Sequence, residues 1–187
     1  MSPVLPFDIF ALIIDIVGEN KDTKLLKELA LVSHSLHQIC IKHLFANVDL
    51  YEYSKKGFVK LVKSRPNVVY YIRKLTYKVS SKNSDDHLLA PILSNFLPTI
   101  SRLNCLAING SNFHWKELDS SLTSAFLHLM SLPTINHIDL SYIKNFPLSS
   151  FASSVTCFGS IYCLCCVLIL ILITTERKIS LKLSSRR

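Results

Sequence analysis

With 187 residues the chain has room for one domain, or for a small module joined to the start of a larger one. It is 49% hydrophobic and 18% charged with only four Gly, a balance that excludes a disordered or low-complexity chain. The formal charge of +8 is uneven: nine Lys or Arg and no Asp or Glu lie between Lys55 and Lys82. Such a stretch suits an anionic partner or a solvated face, and with no RNA- or DNA-binding motif beside it the solvated face is preferred and nucleic acid is not expected.

Four of the six cysteines (Cys40, Cys105, Cys157, Cys163, Cys165 and Cys166) cluster between Cys157 and Cys166, which is not how a disulfide framework spaces them. Asp8 and Asp15 interrupt the first apolar residues and no basic region precedes them, which argues against a signal peptide. The N-terminal part is therefore assigned to the cytoplasm or nucleus.

Phe7, Phe10, Ile13, Ile14 and Val17 recur at helical spacing after Pro6, a good first-turn residue, and predict a helix over about 7–17. Gly18 to Lys21 break that pattern. Asp22 can cap a second helix with Leu25, Leu26, Leu29 and Val32 on one face. Ser33 can cap a third, in which Leu36, Ile39, Cys40 and Leu44 form the buried stripe while His34, His37 and Lys42 mostly face elsewhere. A short linker helix follows around 54–63 and ends before Pro66.

From there strand-like pieces alternate with helical ones. Val69, Ile72, Leu75 and Tyr77 share their spacing with Ile100, Leu103, Leu106 and Ile108, and again with Leu132, Ile135, Ile138 and Leu140, at nearly equal intervals along the chain. Helical patterns lie between the copies, with Leu88, Leu89, Ile92, Leu93 and Phe96, then Leu118, Leu122, Phe126 and Leu129. A strand and a helix repeating at such an interval predict a solenoid whose units bury their apolar sides only by stacking.

The segment Leu5-Pro6-Phe7-Asp8-Ile9-Phe10-Ala11-Leu12-Ile13-Ile14-Asp15-Ile16-Val17, with Leu29-Ala30-Leu31-Val32-Ser33-His34-Ser35-Leu36, resembles the F-box family, and in particular the F-boxes of mushroom-forming fungi that precede irregular leucine-rich repeats. Asp8 fills the family's acidic place, and Ile9, Phe10, Ile13 and Ile14 its aliphatic ones. Leu36 stands where many F-boxes carry Trp or Phe, and Ser111 and Ile143 stand where leucine-rich repeats carry Asn. The resemblance implies a three-helix module that docks on the adaptor subunit of an SCF-type ubiquitin ligase while the rest of the chain holds a protein substrate. It also implies Leu5, Pro6, Ile9, Phe10, Ile13, Ile14, Leu29, Val32 and Leu36 as the partner-binding set.

Catalytic signatures do not appear: there is no Gly-rich phosphate loop, no G-x-S-x-G elbow and no H-E-x-x-H, so the chain is read as a non-enzyme without a cofactor. His34, His37 and Cys40 superficially offer three metal ligands, but they drift around one helix and no Cys-x-x-Cys pair completes a site, so no metal is expected. Cys163, Cys165 and Cys166 are read as buried thiols, with S-acylation as the alternative. Trp115 is expected in a satellite core.

An unbroken apolar run starts at Ile161, and the segment 157–173 is at the short limit for a membrane span. Three readings stay open for 155–187: a membrane anchor followed by a basic tail, a fourth repeat with Leu164, Val167, Leu170 and Leu172 in register, or a non-native C-terminus in which the pattern is lost after about Ser154. The whole chain is therefore expected to be mainly α with α/β repeats: an F-box over 1–50, a linker helix over 51–66, and a short, irregular leucine-rich-repeat-like solenoid over 67–154. The expected function is a substrate-recognition adaptor of a ubiquitin ligase, against the alternative of a tail-anchored membrane protein with a cytosolic helical domain.

Overall fold

A computed structural model describes residues 6–79, 86–95, 102–147, 160–164 and 180–181. The chain is mixed α/β and mostly helical, with three helices leading into a parallel sheet.

Helix α1 (Phe7–Glu19) begins at Pro6, whose φ of −57° already suits a helix. It runs on past Val17, where its apolar pattern predicts the end. The Lys21 N–H donates to the Gly18 carbonyl (3.1 Å), the Asp22 N–H donates to the Val17 carbonyl (3.3 Å), and Lys21 takes φ of 57°. This pair of bonds across a left-handed residue is a Schellman closure, and it turns the chain into α2 (Thr23–Ala30). The Asp22 carboxylate accepts the Leu25 N–H at 3.0 Å, and the Ser33 hydroxyl accepts the Leu36 N–H at 3.2 Å to start α3 (His34–Leu44). Both caps sit where the sequence puts them.

Strand β1 (Asn47–Leu50) follows α3 directly and is not signalled by the sequence, because four residues, although Val48 and Leu50 alternate with Asn47 and Asp49, are too few to establish a strand period. It pairs in parallel with β2 (Lys74–Lys78), and β3 (Cys105–His114), β4 (His137–Lys144), β5 (Ser160–Leu164) and β6 (Ser180–Leu181) continue the sheet in chain order. Helices α4 (Glu52–Ser64), α5 (Asp86–Asn95) and α6 (Ser120–Met130) lie in the first three connections. Leu75 aligns with Leu106 and Leu106 with Ile138, while Tyr77 aligns with Ile108 and Ile108 with Leu140. The apolar period of the sequence is thus the strand-to-strand offset of the sheet.

The strands are joined by a repeated junction. The Ala46 carbonyl accepts the N–H groups of Arg73 (2.8 Å) and Lys74 (2.9 Å). The Arg73 carbonyl accepts those of Asn104 (2.9 Å) and Cys105 (3.1 Å), and the Asn104 carbonyl those of Asn136 (3.0 Å) and His137 (3.1 Å). Each connection therefore re-enters the sheet with its last free backbone donor satisfied by the unit before it.

Two cores result. Leu75, Tyr77, Leu106, Ile108, Ile138 and Leu140 alternate onto one sheet face and pack with Leu89, Leu93, Leu122, Phe126 and Leu129 of the helices. Of the predicted repeat positions, Ile100 and Phe96 lie outside the described residues, and Leu132 is half-buried at the rim. Helix α4, expected as a linker, belongs to this core through Phe58, Val59 and Val62, together with Leu50 of β1. Trp115, expected in a satellite cluster, also joins the main core and meets Phe146 edge-on at 4.7 Å.

Ile138 pairs with Ile161 and Leu140 with Cys163, an offset shorter than those joining β2 to β3 and β3 to β4, so β5 lies earlier in the chain than a fourth copy in register requires. Val167, Leu170 and Leu172 lie outside the described residues, as does most of the segment read as a membrane anchor. Among the described residues no helix is long and apolar enough to cross a membrane.

Candidate protein-docking surface

The three N-terminal helices form a small bundle beside the sheet. Its buried residues are Ile14, Leu26, Leu36 and Cys40, with Val17, Leu29, Ala30, Ile39 and Leu44 packed around them. Four buried residues on three helices are few, because much of the apolar surface of α1 faces away.

That outward face is the site. Helix α1 is apolar on nearly every side, and a helix of that kind is normally enclosed. Here Phe7, Phe10, Leu12 and Ile16 are exposed, and Ile9 and Ile13, one turn apart, stand 43% and 42% exposed. A second apolar exposure lies in the turn between α2 and α3, where Leu31 is 87% and Val32 69% exposed.

The predicted partner-binding residues divide accordingly. Ile9, Phe10, Ile13 and Val32 are presented to solvent, and Pro6 stands exposed at the head of α1. Ile14, at 1% exposure, and Leu36, at 7%, are bundle core and do not reach a partner in this conformation; they are corrected to supports of the surface. Leu29 is half-buried against the same core, and Leu5 lies outside the described residues. Val32 lies beyond the second helix on which the spacing places it, since α2 stops at Ala30 and the chain turns away. Leu12, Ile16 and Leu31 belong to the surface without being in the predicted set, although the unbroken apolarity of α1 is visible in the sequence.

The face is held in place by polar contacts behind it. His43 Nε2 donates to Asp15 Oδ1 at 2.7 Å, tying α3 to α1. The imidazole ring also fills the space that a Cβ on Gly18 would take. His37 Nδ1 lies 3.3 Å from the Ala30 carbonyl, closing the turn that carries Leu31 and Val32. Burial pushes the Cys40 thiol up, so it acts as a small apolar core group. With His34 exposed, His37 engaged by Ala30 and Cys40 enclosed, these three do not converge, and among the described residues no group of three His, Cys, Asp or Glu is placed to hold a metal.

Outside the bundle, Lys55 corrects the solvated-face reading of the basic stretch. It is 2% exposed, and its Nζ donates to the Tyr77 hydroxyl at 3.0 Å. Lys56, Lys60, Lys63, Arg65, Arg73, Lys74 and Lys78 are exposed. An apolar-floored groove of about 480 Å³ runs between α4 and α5. A second hollow of about 440 Å³ opens at the carboxyl ends of the strands. Tyr51 and Tyr53 stack 6.1 Å apart on its wall.

No family model, curated protein or solved structure matches the chain.

Proposed function

We propose that the three-helix bundle is an F-box and that the chain is a substrate-recognition adaptor of an SCF-type ubiquitin ligase, acting in the cytoplasm or nucleus and not itself an enzyme. One observation carries the reading: Ile9 and Ile13 lead a row of apolar side chains on α1 that the chain leaves in water. An uncovered apolar helix face is costly alone and favourable against a partner groove. The Leu5-Pro6 start and the Leu29-Ala30-Leu31-Val32-Ser33 stretch support the same assignment. On this reading the bundle docks on the ligase's adaptor subunit, and the α/β array from Asn47 onward is a short, irregular leucine-rich-repeat-like solenoid that holds a protein substrate. The repeated Ala46, Arg73 and Asn104 junction supports that view of the array.

Capture of the purified adaptor subunit by the full chain tests the reading. Ile9→Ala with Ile13→Ala is expected to weaken capture by more than about tenfold, since interface anchors of this size contribute roughly 1–3 kcal/mol each. Lys42→Ala, on an exposed part of α3, changes little. Wild-type capture by the double variant with its helicity intact removes the F-box assignment.

A further inference from the structure

We propose that the hollow at the carboxyl ends of β1, β2 and β3 binds an extended, proline-rich segment of a partner protein that carries a basic residue. Tyr51, Glu52 and Tyr53 line it from the turn into α4, Lys78 and Val79 from the end of β2, and Ser111 and Phe113 from β3. Tyr51 and Tyr53 stack with only 18° between their planes, and Tyr53 is 85% exposed, so most of its ring stands in water. The pair is held from behind. The Ser54 hydroxyl accepts the Tyr51 N–H at 2.7 Å, and Lys78 Nζ stands 5.7 Å from the centre of the Tyr51 ring. The Val79 N–H donates to the Asn109 carbonyl at 2.9 Å, which fixes the end of β2 against β3.

A departure from regular sheet builds the other wall. Between the aligned pairs Asn109 with Ser141 and Phe113 with Ile143, Gly110, Ser111 and Asn112 stand opposite Tyr142 alone. Inserted residues of this kind re-aim side chains, and here they bring Ser111 to the hollow. Gly110 permits the close approach, since a Cβ there would lie 3.2 Å from the Tyr142 carbonyl oxygen. Tyr142 itself takes φ of 58°, a left-handed conformation uncommon for a bulky residue, and backbone strain of this sort collects at binding sites.

These features suit a polyproline II segment. Such a segment has no internal hydrogen bonds, so its carbonyls need donors, which the Lys78 ammonium and the Ser111 hydroxyl supply. Its proline rings lie against aromatic faces, and its conformation is set before binding, so little ordering entropy is lost. Glu52 complements a basic residue beside the prolines. Single-stranded nucleic acid would also stack on tyrosines, but its phosphates would meet that carboxylate. The inference rests on the reading of the array as the part that holds a substrate, and its binding step is tested without the ligase adaptor.

Fluorescence anisotropy of the full chain with a labelled peptide of about ten residues, Pro at alternate positions and one Arg at its end, tests it. The wild-type chain is expected to bind, and Tyr53→Ala to weaken binding by roughly fivefold or more, whereas Tyr53→Phe keeps the ring and most of the affinity. Tyr70→Ala, at an exposed tyrosine in the turn over Pro66–Tyr71, changes little. Glu52→Gln is expected to remove the preference for this peptide over one with Gln in place of Arg. Ile9→Ala with Ile13→Ala leaves peptide binding unchanged even where adaptor capture is lost, so failure of this site and failure of the adaptor reading are told apart. The proposal is overturned by no binding to the wild-type chain, by equal loss in Tyr70→Ala, by equal binding of a peptide with Ala in place of every Pro, or by tighter binding of single-stranded oligouridine than of the peptide.

Discussion

His43 reaches back from the end of α3 to place its Nε2 2.7 Å from Asp15 Oδ1 on α1, and in doing so lays its ring over Gly18. Gly18 is therefore a packing glycine inside a helix, a position where Ala would ordinarily be the better helix former. In the native background Gly18→Ala is expected to destabilise the bundle by about 1–2 kcal/mol, since the added methyl displaces the ring. In a His43→Ala background the same change should instead stabilise by about 0.5–1 kcal/mol, the ordinary helix preference. Urea denaturation followed by helical circular dichroism reads the sign change; equal effects in both backgrounds disprove the contact.

Ile13 and Ile14 are neighbours in sequence and opposite in placement, one 42% and the other 1% exposed. Ile14→Ala empties space in a core of four buried residues and is expected to cost about 2–4 kcal/mol, enough to lose most of the helicity of 7–44. Ile13→Ala should change stability by no more than about 0.5 kcal/mol. Thermal unfolding of the two variants without any partner checks the contrast, and similar losses in both would contradict the assigned faces.

Lys55 and Tyr77 form a polar pair within the main core, with the ammonium 3.0 Å from the hydroxyl. Tyr77→Phe keeps the ring, including its tilted contact with Phe126 at 5.0 Å, and deletes the oxygen. The expected loss is about 1–3 kcal/mol, because a buried donor loses an acceptor. Lys55→Met and Tyr77→Phe should be non-additive, because both act on the same contact. Additive losses in the double variant by denaturant titration refute this coupling.

Asp119 caps α6: its Oδ1 accepts from the Ser121 hydroxyl, from the Ser121 N–H at 2.8 Å and from the Leu122 N–H at 3.3 Å. These bonds, the Ser121 hydroxyl first, hold its carboxyl below the usual carboxylate range. Because the folded pKa is depressed, the stabilisation is complete above the unfolded value and disappears as pH falls through the folded one. Asp119→Asn keeps an oxygen acceptor for the cap but removes the titration. Between about pH 5 and pH 2 the wild-type protein should therefore lose more stability than Asp119→Asn does. Parallel pH profiles of the two proteins would rule the argument out.

The local signals were legible in the sequence because they depend on a few residues each. Asp22 and Ser33 fixed two helix starts, and the recurring apolar spacing anticipated the alignment of Leu75, Leu106 and Ile138 across the sheet. What the sequence left open was which side of an apolar element is covered. Helix α1 offers Ile9, Phe10, Ile13 and Ile14 in one run, and periodicity alone does not choose between a buried and a presented residue when every side is apolar. The choice belongs to α3, whose Leu36 and Cys40 pack against Ile14 and whose His43 clasps Asp15 and closes over Gly18. Strand β1 was likewise invisible in four residues and exists because β2 offers it a ladder. Lys55 looked like one more solvated charge until Tyr77, distant in sequence, supplied its hydroxyl. Spacing along the chain determined the elements, whereas burial depends on partners far apart in sequence, and those the tertiary structure alone decided.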